Sequence, residues 1–335
     1  MRRFQCVILS LAALLAVLAS CKRSYPLRET TFLAMDTVMT LKIYGDADAV
    51  SDAEAKIGEL ERLLSTTDPA SEIAVLNREG TGEVSAATAE LISAALTLCE
   101  RTDGALDITV YPVVRAWGFT TGSYRVPDEE ELAAARGKVG YGRVTVSEKA
   151  VTVGDHGEID LGSVAKGYAV DCLTEFLRSR GVQSALLNLG GNVQAIGSRP
   201  DGEGWRVAIK APKGDGYAAI LTVSDSAVVT SGGYERYFEA DGVIYHHIID
   251  PATGYPVRNG LASVTVVTES GLLADGLSTA LYVMGADRAA EHWRANRDFE
   301  AVFITDEGEL QITEGLESKL SLPDGLNAKV KVIRP

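Results

Sequence analysis

The sequence predicts an α+β protein whose sheets are mostly antiparallel. Helical and strand periodicities are both plain, the strands are separated by long connections with few strict strand-helix-strand units, and no internal repeat of about 20 to 50 residues is visible.

The first 20 residues do not read as a folded element. Arg2 and Arg3 precede an apolar run from Val7 to Val17, and Leu18-Ala19-Ser20 stands directly before Cys21. This is the layout of a processing signal. Small residues ending on a cysteine predict lipidation of Cys21 and a protein exported and anchored to a bacterial membrane on its periplasmic or extracytoplasmic face; an ordinary signal with an incidental cysteine is the alternative. An acylated Cys21 would carry more than one chain, enough for stable anchoring. Residues 21–31 then read as a tether, and residues 32–335 as the functional domain.

Thr37 to Tyr44 alternates as a strand does. Residues 47–64 place Val50, Ala53, Ile57, Leu60 and Leu64 three or four apart, an amphipathic helix that gives way to the turn cluster Ser65-Thr-Thr-Asp-Pro69. Ser85 caps a second helix from about Ala86 to Glu100, which ends before Asp103-Gly104. Residues 104–112 follow as an irregular segment with a central carboxylate, then a short helix near 128–136 and a strand pair around 143–153. A helix from Ser163 to about Arg180 stops at Gly181, and Ser184 to Leu189 is a buried strand running into Gly190-Gly191, where close backbone approach or positive φ is permitted. Further strands are predicted near 205–210, 218–223, 227–230, 243–249 and 262–268. The last clear helix runs from about Gly271 to Met284 on an apolar face of Leu272, Leu273, Leu277, Ala280, Leu281 and Met284.

The formal charge of −14 becomes −16 when Arg2 and Arg3 leave with the signal. Such a surface repels nucleic acid and gives no general attraction for phosphates, so a phosphate-bearing ligand needs a local device, a helix start or a divalent ion. Beyond Cys6 and Cys21 the chain has only Cys99 and Cys172. Both sit on apolar helical faces without metal-ligand spacing, which predicts two buried thiols rather than a disulfide.

Residues 160–171, Asp-Leu-Gly-Ser-Val-Ala-Lys-Gly-Tyr-Ala-Val-Asp, supply such a device. Asp160 closes an apparent strand, a Gly-Ser turn follows, and the first helical turn carries Lys166. Free backbone N–H groups and a lysine suit an anion, and the carboxylate suits a base or a cation. Ser163-Val-Ala-Lys166 also matches the S-x-x-K pattern of penicillin-binding enzymes, but the S-x-N and K-[ST]-G partners are missing: residues 224–226 are Ser-Asp-Ser and the Thr253-Gly254 pair follows alanine. No G-x-x-x-x-G-K-[ST] loop occurs either.

Asp275 and Thr279 lie four apart, on one helical face. A carboxylate and a hydroxyl with no sulfur suit an oxygen-loving ion such as Mg²⁺ better than zinc; alternatively Asp275 serves the helix N-terminus near Ser270 and Thr279 bonds back to a carbonyl. His246-His247 precede Ile-Ile-Asp250-Pro-Ala-Thr-Gly254. His247 is either a structural group at a strand end or a proton acceptor at neutral pH. Asp250 reads as the cap of its own turn, and Asp107 either binds a ligand N–H or closes its loop.

Taken together, Ala34-Met-Asp-Thr-Val-Met-Thr40, Leu64 to Glu72, Gly104-Ala-Leu-Asp107, the 160–171 segment, Gly190-Gly191, Thr230-Ser-Gly232, His247 to Gly254 and Ala274 to Ala280 resemble, in order and over nearly the whole chain after the signal, the ApbE family of FAD:protein FMN transferases. The resemblance implies two interlocked lobes with a ligand cleft between them, FAD as substrate and Mg²⁺ at its pyrophosphate. It implies FAD contacts from Met35, Ala105, Leu106, Asp107, Asp160, Lys166 and Ile249, and metal ligation by Asp275, Thr279 and the carbonyl of Ser163. His247 is the candidate base for a threonine or serine hydroxyl on an acceptor flavoprotein carrying a D-x-x-[ST]-G-A-[ST] segment. Hydrolysis of FAD to FMN and AMP, or non-catalytic flavin binding by a lipoprotein, are the competing functions.

Overall fold

The computed structural model describes residues 26–45, 48–154, 156–326 and 328–335. The signal and Cys21 lie outside the described residues. The first strand, β1 (Leu27–Ala34), pairs along its whole length with β2 (Thr37–Tyr44), from Leu27 opposite Tyr44 to Ala34 opposite Thr37. The predicted tether is therefore too long: residues 27–31 belong to the fold, because β2 offers them a complete antiparallel edge.

The helices are α1 (Asp48–Leu64), α2 (Glu72–Glu79), α3 (Ala86–Arg101), α4 (Tyr111–Ala116), α5 (Glu129–Arg136), α6 (Ala165–Ser179), α7 (Gly271–Met284) and α8 (Ala286–Asn296). Ser71, Ser85, Asp128 and Ser270 cap α2, α3, α5 and α7 with their side-chain oxygens. The predicted start of α6 at Ser163 moves to Ala165, and no strand ends at Asp160; that residue lies in irregular backbone, and its N–H bonds the carbonyl of Ile108 at 2.8 Å.

Nine strands form the main sheet in the order β1-β2-β6-β7-β10-β13-β14-β15-β17, with β6 (Ala185–Leu189), β7 (Asn192–Ile196), β10 (Ser226–Gly232), β13 (Leu261–Thr268), β14 (Glu300–Thr305), β15 (Leu310–Thr313) and β17 (Val330–Ile333). Every pair is antiparallel except β15 with β17. Strand alternation sends successive residues to two different cores. On β10, Ala227 and Val229 join α7 and α8, whereas Val228 joins the three-stranded sheet of β8 (Trp205–Lys210), β9 (Tyr217–Val223) and β16 (Leu320–Ser321). A third core unites α1, α3 and α6 with β2 and β6, and beside it β3 (Thr81–Glu83), β4 (Val144–Ser147) and β5 (Ala150–Val153) form a small sheet. Cys99 and Cys172 are free thiols, but of the two predicted to be buried only Cys99 is, Cys172 being half-buried; burial pushes Cys99 up to about 12.

The remaining sheet is a lone hairpin, β11 (Tyr237–Ala240) and β12 (Val243–His246), turned by Asp241 and Gly242, both at positive φ. The strand predicted over 243–249 thus stops at His246; Asp250 draws the chain into its turn by accepting from Ala252 N–H and Thr253 Oγ1.

Candidate functional site

The centre of the site is the crossing of α6 and α7. Gly167 and Gly271 meet there so closely that a Cβ on Gly167 would lie 2.3 Å from the Gly271 carbonyl oxygen and 2.7 Å from Asp275 Cβ. Only glycine fits, and the contact lets the Gly167 N–H donate to Asp275 Oδ2 at 2.9 Å. That N–H is the donor that would ordinarily satisfy the Ser163 carbonyl four residues back. Among the described residues the Ser163 carbonyl accepts no hydrogen bond, and the Ser163 and Lys166 N–H groups have no acceptor. One tertiary hydrogen bond thus frees a backbone oxygen beside a buried carboxylate.

Asp275 is 4% exposed, and burial raises its pKa against the lowering effects of Lys166, the Gly167 N–H and Asn192. The Asn192 amide lies close enough to favour the charged carboxylate, yet its Nδ2 makes no hydrogen bond. Thr279 Oγ1 stands 3.2 Å from Ser231 Oγ, not on a carbonyl of its own helix. Nor does Asp275 serve the helix N-terminus: Asp171 does, accepting from Ser270 Oγ, Gly271 N–H and Leu272 N–H at 2.9, 2.6 and 2.9 Å. Asp171 was not among the predicted residues; its spacing of four from Gly167 was the available signal. No group of three or more His, Cys, Asp or Glu side chains suited to a metal occurs among the described residues. The Ser163 carbonyl, the carboxylate of Asp275 and the hydroxyl of Thr279, which shares its hydrogen bond with Ser231, are still oxygens of the kind a hard cation takes.

Asp160 sits at the other side of the α6 start. Its Oδ1 accepts from Gly162 N–H at 2.8 Å; burial raises its pKa, and Arg236 and Lys166 pull it back down. Lys166 reaches only the Gly162 carbonyl, at 3.4 Å, and neither it nor the exposed Arg236 has a carboxylate partner among the described residues. Neither cation is in an ion pair there, but both lie within electrostatic reach of Asp160, and Lys166 of Asp275 as well. Arg236 escaped prediction because in sequence it is one charge in Tyr-Glu-Arg.

The two neighbouring imidazoles divide their roles. His246 uses both ring nitrogens, Nε2 on the Val257 carbonyl at 2.8 Å and Nδ1 accepting from Ile248 N–H at 3.3 Å. His247 uses one: Nδ1 donates to the Arg236 carbonyl at 3.2 Å, a tautomer assigned from that contact, leaving Nε2 as a lone-pair acceptor. Burial and the Arg236 charge push His247 down to about 3, so the ring is neutral at pH 7.

The predicted ligand contacts fall around this centre unevenly. Leu106 packs where a Cβ on Gly276 would meet it at 3.3 Å, next to Asp275. Ala105 and Leu106 are buried. Asp107 closes its loop, Oδ1 accepting from Thr109 N–H and Oγ1 at 2.8 and 2.6 Å and Oδ2 from Tyr141 N–H at 3.1 Å, which leaves acceptor capacity on Oδ2. Met35 and Asp36 turn β1 into β2 with φ of 48° and 57°, and the Met35 N–H donates to Glu61 Oε1. Ile249 bridges to Pro256 and packs with Val113, Trp117, Phe119 and Leu132. No described contact joins Met35 or Ile249 directly to Asp275.

The class so defined is an α+β protein with a buried carboxylate, an unpaired carbonyl and a lysine gathered at one helix crossing. The comparisons with known proteins narrow this class. The model of the ApbE family matches residues 35–303. The FAD:protein FMN transferase of Vibrio cholerae is 36% identical over 318 residues, 90% of this chain and 94% of that one, and its counterpart in Haemophilus influenzae is 33% identical over 315 residues, 87% and 90%. The crystal structure of the ApbE protein of Thermotoga maritima superposes with a TM-score of 0.83 at 33% identity, covering 88% of this chain and 99% of that one. The apo flavinyl transferase ApbE of Pseudomonas stutzeri gives 0.79 at 32% identity, with 89% and 98% covered. The chain belongs to the ApbE family.

Proposed function

We propose that this protein transfers FMN from FAD to a threonine or serine hydroxyl of an acceptor flavoprotein, releasing AMP, with Mg²⁺ as its metal. The carrying observation is the Gly167 N–H on Asp275, which leaves the Ser163 carbonyl free beside Asp275 and Thr279 at the foot of Lys166. Those three oxygens are the proposed ligands of the ion. When bound, Mg²⁺ would neutralise charge on the pyrophosphate and on the departing AMP.

Lys166 and Arg236 hold the pyrophosphate, and the free N–H groups of Ser163 and Lys166 orient it. Asp160 and the remaining acceptor capacity of Asp107 take donors of the nucleotide; Met35, Ala105, Leu106 and Ile249 give apolar or backbone contact. The acceptor oxygen bonds to the FMN phosphorus, the bridging P–O bond breaks with its electron pair leaving on AMP, and the hydroxyl proton passes to Nε2 of His247. Phosphoryl transfer of this type depends mainly on positioning and charge. The acceptor is a flavoprotein presenting a D-x-x-[ST]-G-A-[ST] segment, and a lipid on Cys21 would hold the enzyme at the extracytoplasmic membrane face where such proteins fold; the charge of −14 speaks against nucleic acid as a partner.

Incubation with FAD and Mg²⁺, with and without an acceptor domain, tests the reading. A fluorescent acceptor band on a denaturing gel is the expected result; FMN and AMP without acceptor would mean hydrolysis, and unchanged FAD a carrier. Asp275→Ala is expected to abolish transfer, and retained Mg²⁺-dependent activity would remove the metal assignment. Labelled palmitate that persists in Cys21→Ser would remove the anchor.

A further inference from the structure

Three hydroxyls meet where β10 packs on α7. Ser231 stands opposite Val264, on the face of β10 turned to α7, while its neighbour Thr230 points to the other face and bonds Thr265. Ser231 Oγ lies 2.8 Å from Ser278 Oγ and 3.2 Å from Thr279 Oγ1, and Ser278 Oγ lies 2.9 Å from the carbonyl oxygen of Asp275. Ser278 is fully buried, next in the helix to Thr279, whose oxygen is assigned to the cation. Neither serine has a part in the chemistry described so far.

The proton of each hydroxyl can be placed, because the series ends on a carbonyl and a carbonyl only accepts. The Asp275 carbonyl therefore takes the Ser278 proton. Ser278 Oγ, its one proton committed, must accept from Ser231, and Ser231 Oγ must in turn accept from Thr279. Three contacts and three protons admit no other arrangement in which every contact is a hydrogen bond. The consequence falls on Thr279: its O–H points at β10, and the lone pairs of Oγ1 are left for another partner. A helical threonine otherwise turns its Oγ1 to a carbonyl three or four residues back, and the carbonyl four residues before Thr279 is that of Asp275. Ser278 occupies that carbonyl and Ser231 holds the Thr279 proton, so the two together close off the local alternative.

We infer that Ser231 and Ser278 are positioning residues of the metal site: acting in series, they fix the Thr279 hydroxyl as an acceptor toward the cation. The inference rests on the reading of Asp275, Thr279 and the Ser163 carbonyl as the ligands of Mg²⁺. Ser231 acts on Thr279 directly. Ser278 acts through Ser231, so its loss should be felt at Thr279 although the two side chains share no hydrogen bond among the described residues. Without Ser278 the Ser231 proton is free to turn on Thr279, which reverses that bond and sends the Thr279 proton back toward the Asp275 carbonyl.

The test titrates Mn²⁺, as a probe for Mg²⁺, onto the protein without FAD and reads the free ion by its electron paramagnetic resonance signal; sensitivity to Asp275→Ala identifies the site. Ser231→Ala and Ser278→Ala should each weaken Mn²⁺ binding by at least about fivefold with the Tm within a few degrees of the parent. The double variant should lose no more than about twofold beyond the weaker single one, since a series broken at one link is already broken. Ser231→Thr, which keeps the hydroxyl, should bind Mn²⁺ normally. In FAD turnover the single variants should need more Mg²⁺ for half-maximal rate yet come within about twofold of the parent rate when Mg²⁺ is saturating. Mn²⁺ affinity within about twofold of the parent in both single variants, losses that multiply in the double variant, or a well-folded Ser231→Thr as weak as Ser231→Ala would each overturn the inference. Mn²⁺ binding by the parent that is indifferent to Asp275→Ala would remove the ligand assignment and the inference with it. If the series behaves as expected while no flavin passes to an acceptor, the functional reading fails and the positioning role stands.

Discussion

Replacing Gly167 by alanine sets two rules against each other. In the first turn of α6, glycine to alanine should stabilise by up to about 1 kcal/mol on helix propensity alone. The crossing with α7 predicts the opposite, because the added Cβ would lie 2.3 Å from the Gly271 carbonyl oxygen and 2.7 Å from Asp275 Cβ. Neither neighbour is the end of a flexible side chain, so the helices must part by roughly 1 Å to reach ordinary contact. Overpacking of this kind costs about 1–3 kcal/mol, and stretching the Gly167 N–H bond to a carboxylate adds up to about 1.5–3 kcal/mol. The net expectation is destabilisation by about 1.5–5 kcal/mol, a fall in Tm of several degrees for a chain of this size. Because the same bond frees the Ser163 carbonyl and fixes Asp275, the Mg²⁺ concentration for half-maximal FAD turnover should rise about tenfold or more, with direct Mn²⁺ titration showing the same loss. A variant with a raised Tm and an unchanged metal dependence would refute the account of the crossing.

Other consequences are equally open to measurement. Asp171→Ala should cost about 2–4 kcal/mol in chemical denaturation, since two α7 N–H groups lose a half-buried charged partner, and should weaken Mg²⁺ binding; the Ser85→Ala cap loss on α3 should cost about 1 kcal/mol and leave metal affinity untouched. His247 has a folded pKa depressed from 6.5 to about 3, so its contribution is fully present above pH 6.5 and is lost as pH falls toward 3. Relative to His247→Gln, the parent protein should lose up to about 3 kcal/mol between pH 7 and pH 4 in urea melts, and equal losses would contradict the buried neutral ring.

Much of this was legible because it was local. The periodicity of 48–64 and 271–284 and the serines at 85 and 270 give α1, α3 and α7 nearly to the residue. The strand at 185–189 and the paired glycines after it are likewise local in origin. β1 was hidden because Leu27 to Thr31 alternates weakly and earns its place only from β2. α2, α4, α8 and the strands β3, β7, β11, β14, β15, β16 and β17 were additional to those predicted, α4 beginning at Tyr111 within the stretch read as irregular; Asn192 and Gln194 on β7 are buried polar residues, which an apolar pattern cannot find.

The site divides the same way. Motif order alone brought out Asp160, Ser163, Lys166, His247, Asp275 and Thr279 and, through their resemblance, the family. Sequence could not say which of two adjacent histidines keeps a free nitrogen, why Ser163 offers its carbonyl, or that Asp171 rather than Asp275 caps α7. Each of those depends on a hydrogen bond between residues far apart in the chain, Gly167 with Asp275, Asp171 with Gly271, or His246 with Val257, and a backbone group's availability is fixed only when its competitors for that bond are in place.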